Sequence, residues 1–304
     1  MMAGALAGRL QISVVISGLS RLYGADLDGL VETARIADAA GIDQLVVTDH
    51  LAIGLRTDRY PYGRFPFAHD EPWPEPLTTL ALLAGATRRV RLATGILIVP
   101  LRPPLLLAKT LATLDVLSGG RLDLGVGTGW QREEFEAAGV PFESRAARLD
   151  ETLRACRVLW RDAPASFTSP TVCFDNIWCL PQPLQKEGIP IWIGGALRPA
   201  NLRRLVEFGA GWMPVSPGPG ELRQGRARIR EALEAAGRDP GSVGIRGAVA
   251  PVRGRHGVEL ERSLEALGPL QDAGATVASF PLAAFARSRD EIRPLLERLG
   301  SVST

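Results

Sequence analysis

The chain has 304 residues, which suits one large α/β domain or two small ones and leaves ample length for a core. Hydrophobic residues make up 46% and charged residues 22%, and the net charge of +2 gives no electrostatic footprint for nucleic acid or an acidic membrane surface. Cys156, Cys173 and Cys179 lack metal-ligand spacing, the start lacks a signal-peptide pattern, and no apolar run is long enough to span a bilayer. A cytoplasmic protein with reduced thiols and no metal is therefore expected.

Residues 10–16 are apolar and β-branched and read as a buried strand. Residues 26–40 repeat apolar side chains at helical spacing, with Asp26 as candidate cap and Gly41 as terminator. Residues 44–48 form the next strand, and Asp49-His50 stands at its C-terminal end. This βαβ unit implies a parallel sheet. Residues 51–76 are rich in proline, glycine and aromatics without a clear period. Such a loop inside a compact domain is a lid or a binding loop, or else a surface excursion.

Residues 77–87 read as a helix, 90–99 as a strand, and 103–117 as a helix opened by Pro103 and Pro104. Residues 121–124 are the fourth strand and 146–160 the next long helix. Residues 166–168 and 172–175 flank Ser169-Pro170 as a hairpin, an insertion over 163–188. Strands then resume at 189–193, 211–215, 243–250 and 275–280, separated by helices at 198–208, 221–236 and 259–273. A helix over 290–299 closes the chain.

Eight strands alternating with helices predict a single-domain (β/α)8 TIM barrel over 1–304, with an open doubly wound sheet as the competitor. Barrel chemistry lies on the loops after the strand C-termini. That rule selects 49–50, 94–100, 127–130, 194–196, 216–220 and 251–257.

One of these loops stands out. Gly125, Gly127 and Gly129 fall within five positions, with Thr128 among them, between a strand and the helical turn expected over 133–139. Such a turn lets backbone approach a ligand and aims N–H groups at an anion. It is neither G-x-G-x-x-G nor a Walker loop, so an ordinary strand-to-helix turn is the competing reading.

The block Ser118-Gly-Gly-Arg-Leu-Asp-Leu-Gly-Val-Gly-Thr-Gly-Trp130 resembles the bacterial luciferase-like oxidoreductases, in particular their branch that uses the deazaflavin F420. Glu134-Phe135, Thr48-Asp-His-Leu51, Ile191-Trp-Ile-Gly-Gly195 and Gly211-Trp-Met-Pro214 extend the resemblance nearly end to end. It implies a TIM barrel with a flavin-type ring at the C-terminal mouth, held by Asp49, Thr94, Gly95, Ile96, Thr128, Gly129, Gly194, Gly195 and Ala196. It also implies a non-proline cis peptide at Gly95-Ile96, against a plain trans strand end.

The chain has three histidines, His50, His69 and His256. The resemblance makes His50 the candidate for proton handling, since histidine titrates near neutrality, with a polar contact between ring and loop as the other role. Asp49 would orient His50 or bond the ring. Glu133 and Glu134 read as helix-start charges, Glu134 pairing with Arg145 or Arg148. Trp130 stands where the sugar-phosphate dehydrogenases of this branch carry glutamate. It would wall an apolar substrate pocket. Arg198, Arg253 and Arg255 are weaker candidates for an anionic tail, and Trp192 and Trp212 read as core.

The implied function is an F420-dependent oxidoreductase moving a hydride to or from a small organic molecule. The alternatives are an FMN-dependent monooxygenase fed by a separate reductase, and a non-catalytic flavin-binding protein. A homodimer is expected by the same resemblance.

Overall fold

The computed structural model describes residues 9–302 apart from 25, 26, 28 and 256. Eight parallel strand positions close into a ring. They are β1 (Gln11–Ile16), β2 (Gln44–Val47), β3 (Arg91–Thr94), β4 (Leu122–Gly127), β5 (Ile191–Gly194), β6 (Gly209–Met213), β7 (Gly244–Ala248) and β8 (Val277–Pro281). Neighbours in sequence are neighbours in the ring, and β8 returns to β1 with Ile12 opposite Ala278 and Val14 opposite Phe280. This is the (β/α)8 barrel; the open sheet is excluded because each of the eight strands pairs on both sides, β3 with β4 as well as β8 with β1, so the ring has no edge.

Local sequence sets the frame. Helix Pro76–Ala86 starts with Pro76 in its first turn and with Glu75 as cap, whose carboxylate accepts the Thr78 N–H at 2.7 Å. Helix Pro104–Ser118 also begins with proline, and Gly119 ends it in the left-handed conformation at φ 69°. Both helices pack their buried leucines onto the barrel's outer face, among them Leu80, Leu83, Leu107 and Leu111.

The structure departs from the sequence reading at four places. The strand expected over 90–99 is broken: β3 ends at Thr94, and pairing with β4 resumes at Leu97–Ile98. The strand expected to stop at 124 runs to Gly127, so Gly125 and Gly127 belong to the sheet and not to a turn. The helix expected over 259–273 is two short ones, Leu260–Leu264 and Leu267–Asp272, because Pro269 has no N–H to continue the first. Short helices Leu19–Tyr23 and Leu282–Phe285 follow β1 and β8, too brief for periodicity to reveal. The hairpin is present as Ala165–Thr168 against Cys173–Ile177. The expected cap Asp26 lies outside the described residues, and that helix runs Gly29–Ala40.

The barrel interior is filled in two layers. At the floor, Arg246 Nη1 donates to Ser13 Oγ at 2.9 Å and its Nη2 to Gln44 Oε1. Gln44 Nε2 donates to Asp123 Oδ2 at 2.6 Å, and Arg91 clasps Asp123 through Nε at 2.8 Å and Nη2 at 2.6 Å. Above this polar layer, Trp192, Met213 and Val277 form an apolar plug against which Ile96 packs. Trp192 lies inside the barrel and Trp212 outside it, both buried as expected of core residues. No helix among the described residues is long and apolar enough to cross a membrane.

Candidate functional site at the C-terminal rim

Asp49 and His50 follow β2 at the rim, and their side chains part ways. Asp49 is 5% exposed; its carboxylate takes a two-pronged grip from Arg102, at 2.7 and 3.0 Å, and the Ile98 N–H at 2.7 Å. Burial pushes its carboxyl up, while Arg102 and the Ile98 N–H pull it back. Burial disfavours the Arg102 charge in turn, but Asp49 and Glu75 outweigh it and hold the guanidinium above its ordinary value. Arg102 donates to Glu75 at 2.9 Å, and so links the rim to the cap of helix Pro76–Ala86.

His50 turns instead to Glu134. Its Nδ1 lies 3.1 Å from Glu134 Oε2, while Oε1 of the same carboxylate accepts the Leu51 N–H at 2.6 Å. His50 is 8% exposed and Glu134 2%. Glu134 sits in the short helix Arg132–Ala137 that follows β4. It reaches past the end of β3, which lies between β2 and β4 in the ring. The expected pairing of Glu134 with Arg145 or Arg148 is therefore corrected. Arg145 donates to the Phe142 carbonyl and covers the Phe142 ring, and Arg148 turns to the Pro100 carbonyl. The expected role of Asp49 as orienter of His50 passes to Glu134, because Asp49 is taken by Arg102.

Between these loops the chain bulges. The Gly95-Ile96 peptide is cis, the isomer implied by the resemblance. A side chain on Gly95 would meet Val46 Cγ1 at 2.2 Å, so only glycine fits there. Ile96 drops its side chain into the barrel, over the backbones of Gly127 and Gly194, where an added Cβ would come within 2.8 and 2.4 Å of it. The glycines of β4 and β5 thus make room first for Ile96. Thr94 is fully buried and gives its hydroxyl to the Gly125 carbonyl at 2.7 Å; it supports the bulge from below and does not face the mouth. Gly129 is left-handed at φ 73°, packed on Ile98 and Phe135, with Thr128 beside it on the rim. The Gly195 N–H goes to the Met213 carbonyl at 2.9 Å, which takes it out of the expected anion seat. Asn201 Nδ2 holds the carbonyls of Gly194 and Ala196 at 3.2 and 2.9 Å.

Residues 51–76 fold across this mouth. Trp73, Trp130 and Phe65 surround the imidazole edge-on at 4.8, 6.0 and 6.1 Å between ring centroids. Tyr60 packs on Trp130 at 5.3 Å, and the Tyr62 hydroxyl lies against Gly195. The segment is pinned at both ends by hydrogen bonds. Gln131 holds the N–H and carbonyl of Gly54 at 2.9 and 3.0 Å, and Glu71 accepts from the Ser20 N–H at 3.1 Å. In between, ring contacts bind it to the rim. Trp73 Nε1 is buried there without a hydrogen-bond partner.

The rim therefore gathers Asp49, His50, Gly95, Ile96, Thr128, Gly129, Trp130, Gly194, Gly195 and Ala196 at one end of the barrel. Arg198, Arg253 and Arg255 are exposed, and His256 lies outside the described residues. No group of histidine, cysteine or carboxylate side chains among the described residues could hold a metal ion. Between residues 11 and 293 the sequence matches the family described as luciferase-like monooxygenase. The chain belongs to that family. Luciferase-like relatives include an uncharacterized protein of Mycobacterium tuberculosis, 34% identical over 217 residues, which are 70% of this chain and 74% of that one. Among solved structures, the monooxygenase RslO1 of Streptomyces bottropensis superposes with a TM-score of 0.76 at 22% identity, covering 96% of this chain and 98% of that chain. An F420-dependent secondary alcohol dehydrogenase, solved with an F420-acetone adduct, gives 0.78 at 17% identity, covering 98% and 100%. At these identities the two structures speak for the luciferase-like fold.

Sequence reasoning missed Arg102 and Gln131 as parts of this site, while Trp73 was among the aromatics of the segment read as a lid. Arg102 gave one signal, a lone cation between a strand end and two prolines. Gln131 gave none apart from its place on a rim loop.

Proposed function

We propose that this luciferase-like chain is an oxidoreductase that moves a hydride between F420 and a small, apolar organic substrate, with His50 handling the accompanying proton. The observation that carries the reading is the His50 imidazole. It is held at the rim by one nitrogen, leaves Nε2 without a hydrogen-bond partner among the described residues, and is ringed by aromatic faces. The rim suits a flat ring with polar edges: aromatic walls, exposed backbone at the bulge, and the unmatched Trp73 Nε1 all lie within it.

In this reading the backbone at Gly95-Ile96, Thr128, Gly129 and the turn Gly194, Gly195, Ala196 would hold the cofactor, and Trp130 the substrate. Bound there, the deazaflavin supplies the carbon that gives or takes the hydride. His50 Nε2 takes the proton from a substrate hydroxyl, or returns it to a carbonyl oxygen. Residues 51–76 exclude water once closed. Asp49 stays an ion-pair partner of Arg102 and takes no part in proton transfer. A homodimer belongs to the same proposal, and light scattering on the purified chain tests it.

Titration with F420 and with FMN, followed by fluorescence, tests the cofactor. Saturable F420 binding, with hydride exchange against a panel of ketones and secondary alcohols, is expected. Tight FMN binding without F420 binding favours the monooxygenase and its separate reductase. Binding without any turnover favours a carrier protein. His50→Asn is expected to retain binding and to lose roughly 100-fold or more in turnover, the usual worth of a positioned acid–base group.

A further inference from the structure

We infer that Glu134 is the positioning residue of this site. It fixes His50 as the Nδ1–H tautomer and so presents Nε2, lone pair outward, as the proton-handling atom of the rim. The inference rests on the reading of His50 given above and names what makes that reading work.

An ionised carboxylate accepts hydrogen bonds and donates none, so the 3.1 Å contact puts the proton on Nδ1. Neutral imidazole carries one proton, which leaves Nε2 as the acceptor. The same carboxylate is tied by its other oxygen to the Leu51 N–H at 2.6 Å, one residue beyond His50. Rotating it away breaks both bonds. The helix that carries Glu134 is anchored by the next residue, Phe135, which is fully buried against Ile98 and edge-on to Phe142 at 5.3 Å. The imidazole is flanked by Trp73, edge-on at 4.8 Å between centroids, and a flip of the ring would put Cδ2 against the carboxylate and forfeit the bond. The two carboxylates clasped by Arg102 are committed elsewhere. Asp49 is committed to Arg102 and the Ile98 N–H, and Glu75 to Arg102 and the Thr78 N–H. A tautomer held by a carboxylate behind the ring is a recurrent way of aiming a histidine base.

The test is the nitrogen spectrum of the full chain labelled with 15N-histidine, recorded at alkaline pH, with His50 identified by its loss in His50→Asn. The wild type is expected to show a protonated Nδ1 and a bare Nε2. Glu134→Gln reverses that pattern: its one carbonyl oxygen is claimed by the Leu51 N–H, which can only donate, so its amide NH2 faces Nδ1 and leaves the proton on Nε2. Glu134→Leu shifts the wild-type pattern towards the Nε2–H form or an average of the two. A wild-type Nε2–H pattern overturns the inference whether or not the leucine variant folds, and so does a folded Glu134→Leu that keeps the Nδ1–H form. The readout needs no cofactor. A chain that binds neither F420 nor FMN but shows the Nδ1–H pattern loses the oxidoreductase reading and keeps the His50–Glu134 pair.

Discussion

At the floor of the barrel, Ser13, Arg246, Gln44, Asp123 and Arg91 bond in one unbroken chain; at the rim, His50 pairs with Glu134 and Asp49 with Arg102, with groups left over. The floor residues come from the strands and the rim residues from the loops and the short helix beyond them, and both sets are largely withdrawn from water. The floor matches its donors and acceptors almost completely, with Arg246 Nε the exception. Burial pushes the Arg246 guanidinium down to about 10, against the pull of Asp123. The rim keeps His50 Nε2 and Trp73 Nε1 unmatched and covers them with rings that can separate without breaking a hydrogen bond. A barrel can thus bury charge at one end for cohesion and at the other for chemistry, and the difference lies in what is left unsatisfied.

The comparison breaks most visibly at the floor. Asp123→Ala leaves Gln44 Nε2 without its acceptor and the buried Arg246 without the carboxylate that supports its charge, while the part-exposed Arg91 keeps the Gly120 and Leu122 carbonyls; leaving a buried charge uncompensated costs about 3–5 kcal/mol. Urea denaturation is expected to show a loss of that size, with F420 affinity of the folded fraction unchanged. A loss under about 1 kcal/mol would mean that the floor contributes no more than surface pairs do.

A smaller effect is expected where the two ends meet, at Ile96. Gly194→Ala places a Cβ within 2.4 Å of the Ile96 side chain and 3.0 Å of the Val126 carbonyl. Overpacking of this kind costs about 1–3 kcal/mol. Unlike the floor substitution, this one is also expected to weaken cofactor binding, because the displaced Ile96 carries the bulge with it. Gly194→Ala combined with Ile96→Leu, which removes the Cγ2 methyl at the contact, should recover part of both losses. Recovery of stability without recovery of affinity would separate the bulge from the cofactor seat.

How far the sequence could see follows the same division. The barrel was legible because eight short strand-like runs, most of them apolar, alternate with segments of helical spacing, and a parallel sheet must bury both faces. The rim was legible as a set of strand-end loops, which is why Asp49, His50, Thr128 and Gly194 come together. The wiring within it was not. Glu134 looks like any acidic residue in a first helical turn; that its i+4 neighbour is Ala138, with no cation to meet, hints at another partner without naming it. Arg102 and Asp49 stand 53 positions apart, and nothing local connects them. Ile96 shows the opposite error. The glycines facing it suggest a ligand seat, yet they first accommodate a side chain of this same chain, a packing fact that exists only once β3, β4 and β5 are side by side.

The smallest expected effect sharpens the comparison most. Gln131 is 1% exposed and holds Gly54 by two hydrogen bonds, so it belongs to the well-matched kind of burial although it stands at the rim. Gln131→Ala forfeits both bonds at the edge of a segment otherwise held by rings, a net cost of about 1–2 kcal/mol. If the pins govern closure, amide exchange across residues 55–70 should quicken in this variant while exchange in β1 to β8 stays as it was. If the rings govern closure, exchange there should barely change on losing Gln131 and should quicken in Trp130→Ala, which removes the face that Tyr60 and Phe65 rest on. The second outcome is expected, because the segment's centre touches the rim through aromatic contacts and its pins lie at its ends. The cover would then open from its middle, above His50, while both ends stay attached.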